Sequence, residues 1–386
     1  MIKFKILKAE DYCDSVRDGT HDSPKKTDSG YKLITSKHIK EYGLDLDSAY
    51  CISEKDFNKV NERSAVNIND ILYSMIGTIG LMYRVKSQPN YAIKNMGLFK
   101  ISDEIKSKWL YYYLKSPKMQ NYIKSLLNGS TQQYITLSNL RQIPIEMPEN
   151  EGDMKKIIKV LDLIDKKIQI NTKTNDNLYE LSSSLYKKWY DSLSSDNITT
   201  LSKFDEMGKI VMGQSPKGES YNYYNEGLPL INGAADYENG FLKAQKYTTM
   251  PTKTCNKNDL IFCIRATIGL LTICDKEYCL GRGVAGIVNI NELYREYVFH
   301  LINNSIESFK NLATGSVIVG ISRNDIQNIK VKIPSKEQIK NFHDIQKNLF
   351  DKMENIRQEN IVLTQLRDTL LPKLMNGEID LDKIEI

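Results

Sequence analysis

Arg265, just ahead of a Thr-Ile-Gly turn, and Arg282, inside Gly-Arg-Gly, each carry a planar fork of donors. That shape suits the paired acceptors of a guanine edge or a phosphate, and the small residues beside Arg282 allow close approach to a groove. Gln132, Gln133 and Tyr134 follow Gly129-Ser130; neighbouring glutamines can pair with adenine edges. Lys25, Lys26, Ser36, Lys37 and His38 surround residues 30–39, and Gln214, Ser215, Lys217, Asn232 and Ser316 are the matching candidates later in the chain. The lysines suit phosphates, which position a ligand without specifying it. The competing readings are an intramolecular salt bridge for the arginines and solvated loops for the rest.

Groups that could make or break bonds are sparse. None of His21, His38, His300 and His343 has a sequence neighbour that completes a catalytic set. His300 and His343 fall on predicted helices and read as structural. Cys13, Cys51, Cys255, Cys263, Cys274 and Cys279 form no C-x-x-C pair, so they read as reduced, mostly buried thiols, with neither a disulfide framework nor a zinc site. Phosphate-loop, zinc-helix and nucleophile-elbow motifs are missing, as are a glycine-rich methyl-donor turn and an Asn-Pro-Pro-aromatic signature. No catalytic residue and no metal ligand is assigned; catalysis, if any, is borrowed from partners.

The elements that must position these residues occur twice. ITLSNLRQIPIEMP at 135–148 aligns without a gap to ISRNDIQNIKVKIP at 321–334, and NDILYSMIGTIG at 69–80 aligns to NDLIFCIRATIG at 258–269. The first pair reads as a helical turn and a strand, the second as an apolar strand and a turn. Gly129-Ser130 and Gly315-Ser316 keep the same offset, and THDSP at 20–24 weakly matches GQSP at 213–216.

Each half closes with a long helical tract. Ile157, Leu161, Ile164, Ile168, Asn171, Asn175 and Leu178, continued by Leu181 and Leu185, follow the steps of four and three of a coiled-coil seam. Ile345, Leu349, Met353, Ile356, Asn360, Leu363, Leu366 and Leu370 repeat it. Asn175 and Asn360 are equivalent and are expected to face each other. The stripes read as packing between the helices, their outer edges left for partner helices, and Lys155, Lys156, Lys166 and Lys167 as a solvated face. The fold class expected is α/β (α+β): two lobes separated by two long antiparallel helices, an internal pseudo-two-fold repeat.

At 386 residues the chain exceeds one ordinary core. Its 41% hydrophobic and 26% charged content excludes collagen-like and wholly disordered classes. No stretch is apolar and long enough for a membrane span or a secretory leader, so a cytoplasmic chain without a membrane partner is expected. A net charge of +5 permits a nucleic-acid partner without requiring one. The repeat is more telling, because two similar lobes match two half-sites on one double-stranded DNA. Diverging loops on a repeated scaffold then imply an asymmetric target.

On DGTHDSP (18–24), the two repeated strand motifs, GSTQQYI (129–135) and LTQLRDTLLPKLMNGEIDL (363–381), essentially the whole chain resembles the specificity subunit of type I restriction-modification systems. The resemblance implies target-recognition domains at 1–150 and 194–335, with spacer helices at 151–193 and 336–386. Each domain would read half of a split target, while the helices set the unread spacer. It also implies two modification (methyltransferase) subunits that bring S-adenosylmethionine and methylate adenine. Restriction subunits would bring ATP, Mg and cleavage; this chain holds no cofactor. The first tract's ending, NLYELSSSLYKKWYDSL (177–193), departs from the second's, which puts equal partner surfaces in doubt. The rival reading is a non-enzymatic two-lobe coiled-coil scaffold for proteins or other ligands; an enzyme hidden in a lobe comes third.

Overall fold

The computed structural model describes residues 2–40, 43–129, 133–238, 240–313 and 319–381. The chain forms two compact units, residues 1–172 with 357–386, and residues 173–356.

The first unit is built on a four-stranded antiparallel sheet in the order Ser15–Asp18, Met96–Lys100, Ile71–Ser74, Met82–Arg84. Strand Ile71–Ser74 is buried at all four positions because both faces of the sheet are covered. Ile71, Tyr73 and Phe99 face one core, and Leu72 and Leu98 face a second. Helices Glu104–Lys115 and Pro117–Ser125 pack on the first core, each opened by a side chain (Asp103, Ser116) that accepts from a first-turn amide. A smaller sheet joins Cys51–Ile52, Tyr31–Ile34 and Tyr91–Ile93, the last two in parallel.

The second unit repeats this plan. Its central sheet runs Lys209–Met212, Val284–Val288, Leu260–Cys263, Gly269–Ile273, and its smaller sheet again holds a parallel pair, Leu228–Ile231 with Tyr278–Leu280. Even the entry to the repeated strand is copied. Asn69 and Asn258 both adopt the left-handed backbone, at φ 73° and 74°. The next residues, Asp70 and Asp259, are buried carboxylates that each accept two backbone amides. Burial raises both carboxyl pKa values. The shared Asn-Asp is therefore a folding device.

The long helices are Glu151–Ser192 and Lys336–Met375, and they run antiparallel within each unit. In the first unit Arg367 Nη1 meets Asp165 Oδ1 at 3.1 Å, and Asn171 Nδ2 donates to Asn360 Oδ1 at 2.8 Å. Asn171 thus takes the place expected for Asn175, whose Nδ2 donates to the Met353 carbonyl in the second unit. The seam also departs from the expected stripe. Ile157, Leu161, Ile164, Ile168 and Ile356 are buried, Leu178, Leu185, Leu349, Leu363 and Leu370 half-buried, but Leu181 (48%), Ile345 (56%) and Leu366 (44%) are exposed. Ser182 and Gln346 hold the buried positions beside them, because Ser182 Oγ bonds both Gln346 Oε1 (2.5 Å) and His300 Nε2 (2.8 Å). His343, equally buried, meets Glu296 at 2.7 Å. The helix endings that looked unequal as partner surfaces fill cores: Tyr186 with Trp189 and Tyr190 in the second unit, Leu371, Leu374 and Met375 in the first.

Candidate nucleic-acid interface

In the second unit four candidates from distant segments converge on one end of the central sheet. Cys263 pairs with Val284, and Ile264 N donates to the Gly283 carbonyl at 2.9 Å, so Arg265 follows the end of one strand while Arg282, in the turn closed by Val284 N on the Gly281 carbonyl, precedes the neighbouring one. Gln214 N donates to the Leu280 carbonyl at 2.9 Å, and Gly281 N to the Ile231 carbonyl at 2.8 Å, which brings Gln214 and Asn232 alongside. All four residues are exposed. Among the described residues neither arginine has a carboxylate partner, so the salt-bridge alternative is not what holds them. A Cβ at Gly281 or Gly283 would collide with Asn232, so these glycines serve the chain's own packing. Ser215 is half-buried, and exposed Lys217 lies 3.9 Å from Glu219. Ser316 lies outside the described residues.

The same sheet end in the first unit carries different groups. Thr20 N donates to the Ile93 carbonyl and Lys94 N to the Ile34 carbonyl, so Lys94 and Asn95 stand where Gly281 to Gly283 stand in the second unit. Ile76, bridged to Tyr134, occupies the place of Arg265, bridged to Gly320. His21 joins Asn95 Oδ1 (2.9 Å) to Asp18 Oδ2 (3.0 Å), and Arg63 also pairs with Asp18. Lys25, Lys26 and Lys37 are exposed and Ser36 half-exposed, and among the described residues these lysines have no carboxylate partner. Gln133 and Tyr134 are exposed beside a cleft of about 340 Å³ that Gly77, Gln120 and Lys124 also line. Gln132 lies outside the described residues.

His38 is a correction. It is fully buried, its Nδ1 accepting from Thr35 N at 2.9 Å, and burial lowers its pKa. It caps the Ser36–His38 turn from inside the fold rather than from its surface. Lys94 and Asn95 were not anticipated, although the match of Tyr91–Ile93 to Tyr278–Leu280 carried the signal. The exposed Tyr223 and Tyr224, with Lys246 Nζ 5.7 Å from the Tyr223 ring, had none beyond tyrosine content.

Two copies of one α/β plan, with different side chains at the same sheet end, exposed in the second unit and mostly half-buried in the first, define a two-unit recognition protein. The chain belongs to the type I restriction modification DNA specificity domain family, whose model matches residues 1–180 and 200–365. It is 25% identical to a protein of Methanocaldococcus jannaschii provisionally described as the MjaX type I restriction enzyme specificity subunit, covering 97% of this chain and 93% of that one. To the HindI specificity subunit of Haemophilus influenzae it is 21% identical, over 82% and 88%. The crystal structure of the type I restriction-modification S subunit from M. genitalium shares the fold, with TM-score 0.57 and 17% identity over 97% of this chain and 96% of that one. Among the described residues no helix is long and apolar enough to cross a membrane.

Proposed function

We propose that this chain is the DNA-reading subunit of a type I restriction-modification complex, its first unit reading one half of a split, asymmetric target and its second unit the other. The observation that supports this best is that Arg265 and Arg282 lie at the same end of two neighbouring strands, with Gln214 and Asn232 held beside the Leu280–Gly281 segment, while equivalent positions of the first unit carry Ile76, Asn95, Thr20 and Thr35. Two exposed guanidiniums at one sheet end, with no carboxylate partner among the described residues, suit an anionic or multi-acceptor ligand, which a guanine edge or a phosphate supplies. The two rows differ, so the half-sites differ.

The long helices set the unread spacer and dock two modification subunits, for which the exposed Leu163, Ile170, Leu181, Ile345 and Leu366 provide apolar contact. Those subunits bring S-adenosylmethionine and methylate adenine; restriction subunits add ATP- and Mg-dependent cleavage in the cytoplasm. The test is sequencing of methylated adenine in cells with the gene present and deleted. A split motif that loses methylation on deletion is expected, and exchanging residues 1–150 changes only one half of it. Unchanged methylation with an intact modification subunit expressed overturns the reading in favour of a protein-binding scaffold.

A further inference from the structure

Along the edge strand of the first unit's sheet, reaching away from the recognition loops, lies a cavity of about 290 Å³. Its wall starts at Met82, which pairs with Tyr73 beside the turn, and continues through Arg84, which pairs with Ile71 at the far end, to Lys86. Two carboxylates in the wall already have cations, Asp162 bonding Lys108 Nζ at 2.7 Å and Asp165 bonding Arg367 Nη1 at 3.1 Å. Arg84, Lys86 and Lys166 are left without a carboxylate among the described residues; Arg84 reaches only Asn69 Oδ1 (3.1 Å) and Lys86 only Gln169 Oε1 (3.1 Å). Arg84, Lys86, Lys108 and Lys166 in the wall outnumber Asp162 and Asp165 by two charges, an excess that favours entry of an anion. The volume exceeds a bare phosphate, and the aromatic side chains of Tyr83 and Tyr111 in the wall suit a base.

The second unit does not repeat this arrangement. Ile273, Asp275 and Asp351 stand where Arg84, Lys86 and Lys166 stand, by the pairing of Ile273 with Leu260 and the common starts of the long helices. A ligand of the cavity therefore binds once per chain and is negative. We propose that the cavity bounded by Arg84, Lys86 and Lys166 takes a nucleotide phosphate, either of a free mononucleotide or of a nucleic-acid strand.

The full chain is titrated calorimetrically with AMP, adenosine and inorganic phosphate, and its affinity for a short duplex lacking any target is followed against salt. The wild type is compared with Lys86→Gln/Lys166→Gln, which changes exposed side-chain ends, and with Asp351→Asn as control. With a free nucleotide as occupant, one AMP binds per chain. Adenosine and the double variant are then each more than about tenfold weaker, and Asp351→Asn is unchanged. With a strand as occupant, AMP fails to bind but the double variant lowers the salt slope of duplex binding by about 2. Two equal AMP sites, or a double variant that alters neither AMP binding nor the slope, overturn the proposal; a cavity filled by an acidic protein segment gives the latter. Neither titration depends on the chain reading a target sequence.

Discussion

Replacing Arg282 by alanine removes an exposed guanidinium without creating a buried vacancy. The expected outcome is a loss of about 1–3 kcal/mol in selective binding, confined to the half-site of the second unit, with melting behaviour unchanged. Binding assays on targets permuted one half at a time check this; relaxation of both halves would contradict it. His300 makes a different prediction. Burial among Tyr186, Phe299 and Phe350 lowers its pKa to about 4, while the unfolded chain protonates near 6.5. A depressed folded pKa means stability is fully present above about pH 6.5 and is lost as pH falls toward 4, by roughly 3 kcal/mol. Urea melts of wild type and His300→Gln from pH 7 to 4 should show the smaller acid loss in the variant. The arginines were legible because the strand motif and Gly-Arg-Gly flank them. His38 was misread because a polar loop residue gives no sign that its neighbours fold over it, and Lys94 and Asn95 were passed over because nothing local marks them.

Between helices, the Asn171–Asn360 hydrogen bond sits on a seam whose neighbouring buried positions include Ile168 and Ile356. Asn360→Leu leaves Asn171 Nδ2 with Glu359 alone and should cost about 1–3 kcal/mol. Asn171→Leu/Asn360→Leu should recover most of that while loosening the register, seen as broadened amide spectra at preserved helicity; a double variant no better than the single would remove this role. The strands and the paired helical tracts were readable from offsets and periodicity alone. The seam's far half was not. A helix at 3.6 residues per turn drifts about 20° per heptad against a strict 3.5 repeat, and here the buried stripe takes an extra four-residue step from Leu178 through Ser182 to Tyr186. Leu181 is thereby turned outward. The polar filling at Ser182 and Gln346 is stabilised by His300, from a third helix that no pairwise pattern includes.

At the level of the whole molecule, the repeat was visible in sequence, whereas the way the compact units cut across chain order was not. Residues 357–386 complete the first unit: Leu371, Leu374, Met375 and Leu381 belong to the core that holds Trp109, and Gly377 (φ 69°) approaches Phe4 too closely to accept a side chain. A chain cut after Ile356 should therefore lose the first unit and keep the second. The two tryptophans report on this separately, since Trp109 lies in the first unit and Trp189 in the second. In Trp189→Phe the truncated chain should emit like unfolded protein, and in Trp109→Phe like native protein; native emission from both would refute the division. The same feature sets a timetable. A ribosome releases the first unit's opening 172 residues long before the helix end that closes their core, while the second unit, one uninterrupted stretch, is complete earlier. The usual amino-to-carboxyl order of maturation is thus reversed, and the early-made lobe spends most of translation unfinished, exposed to chaperones and proteases until the last few turns emerge.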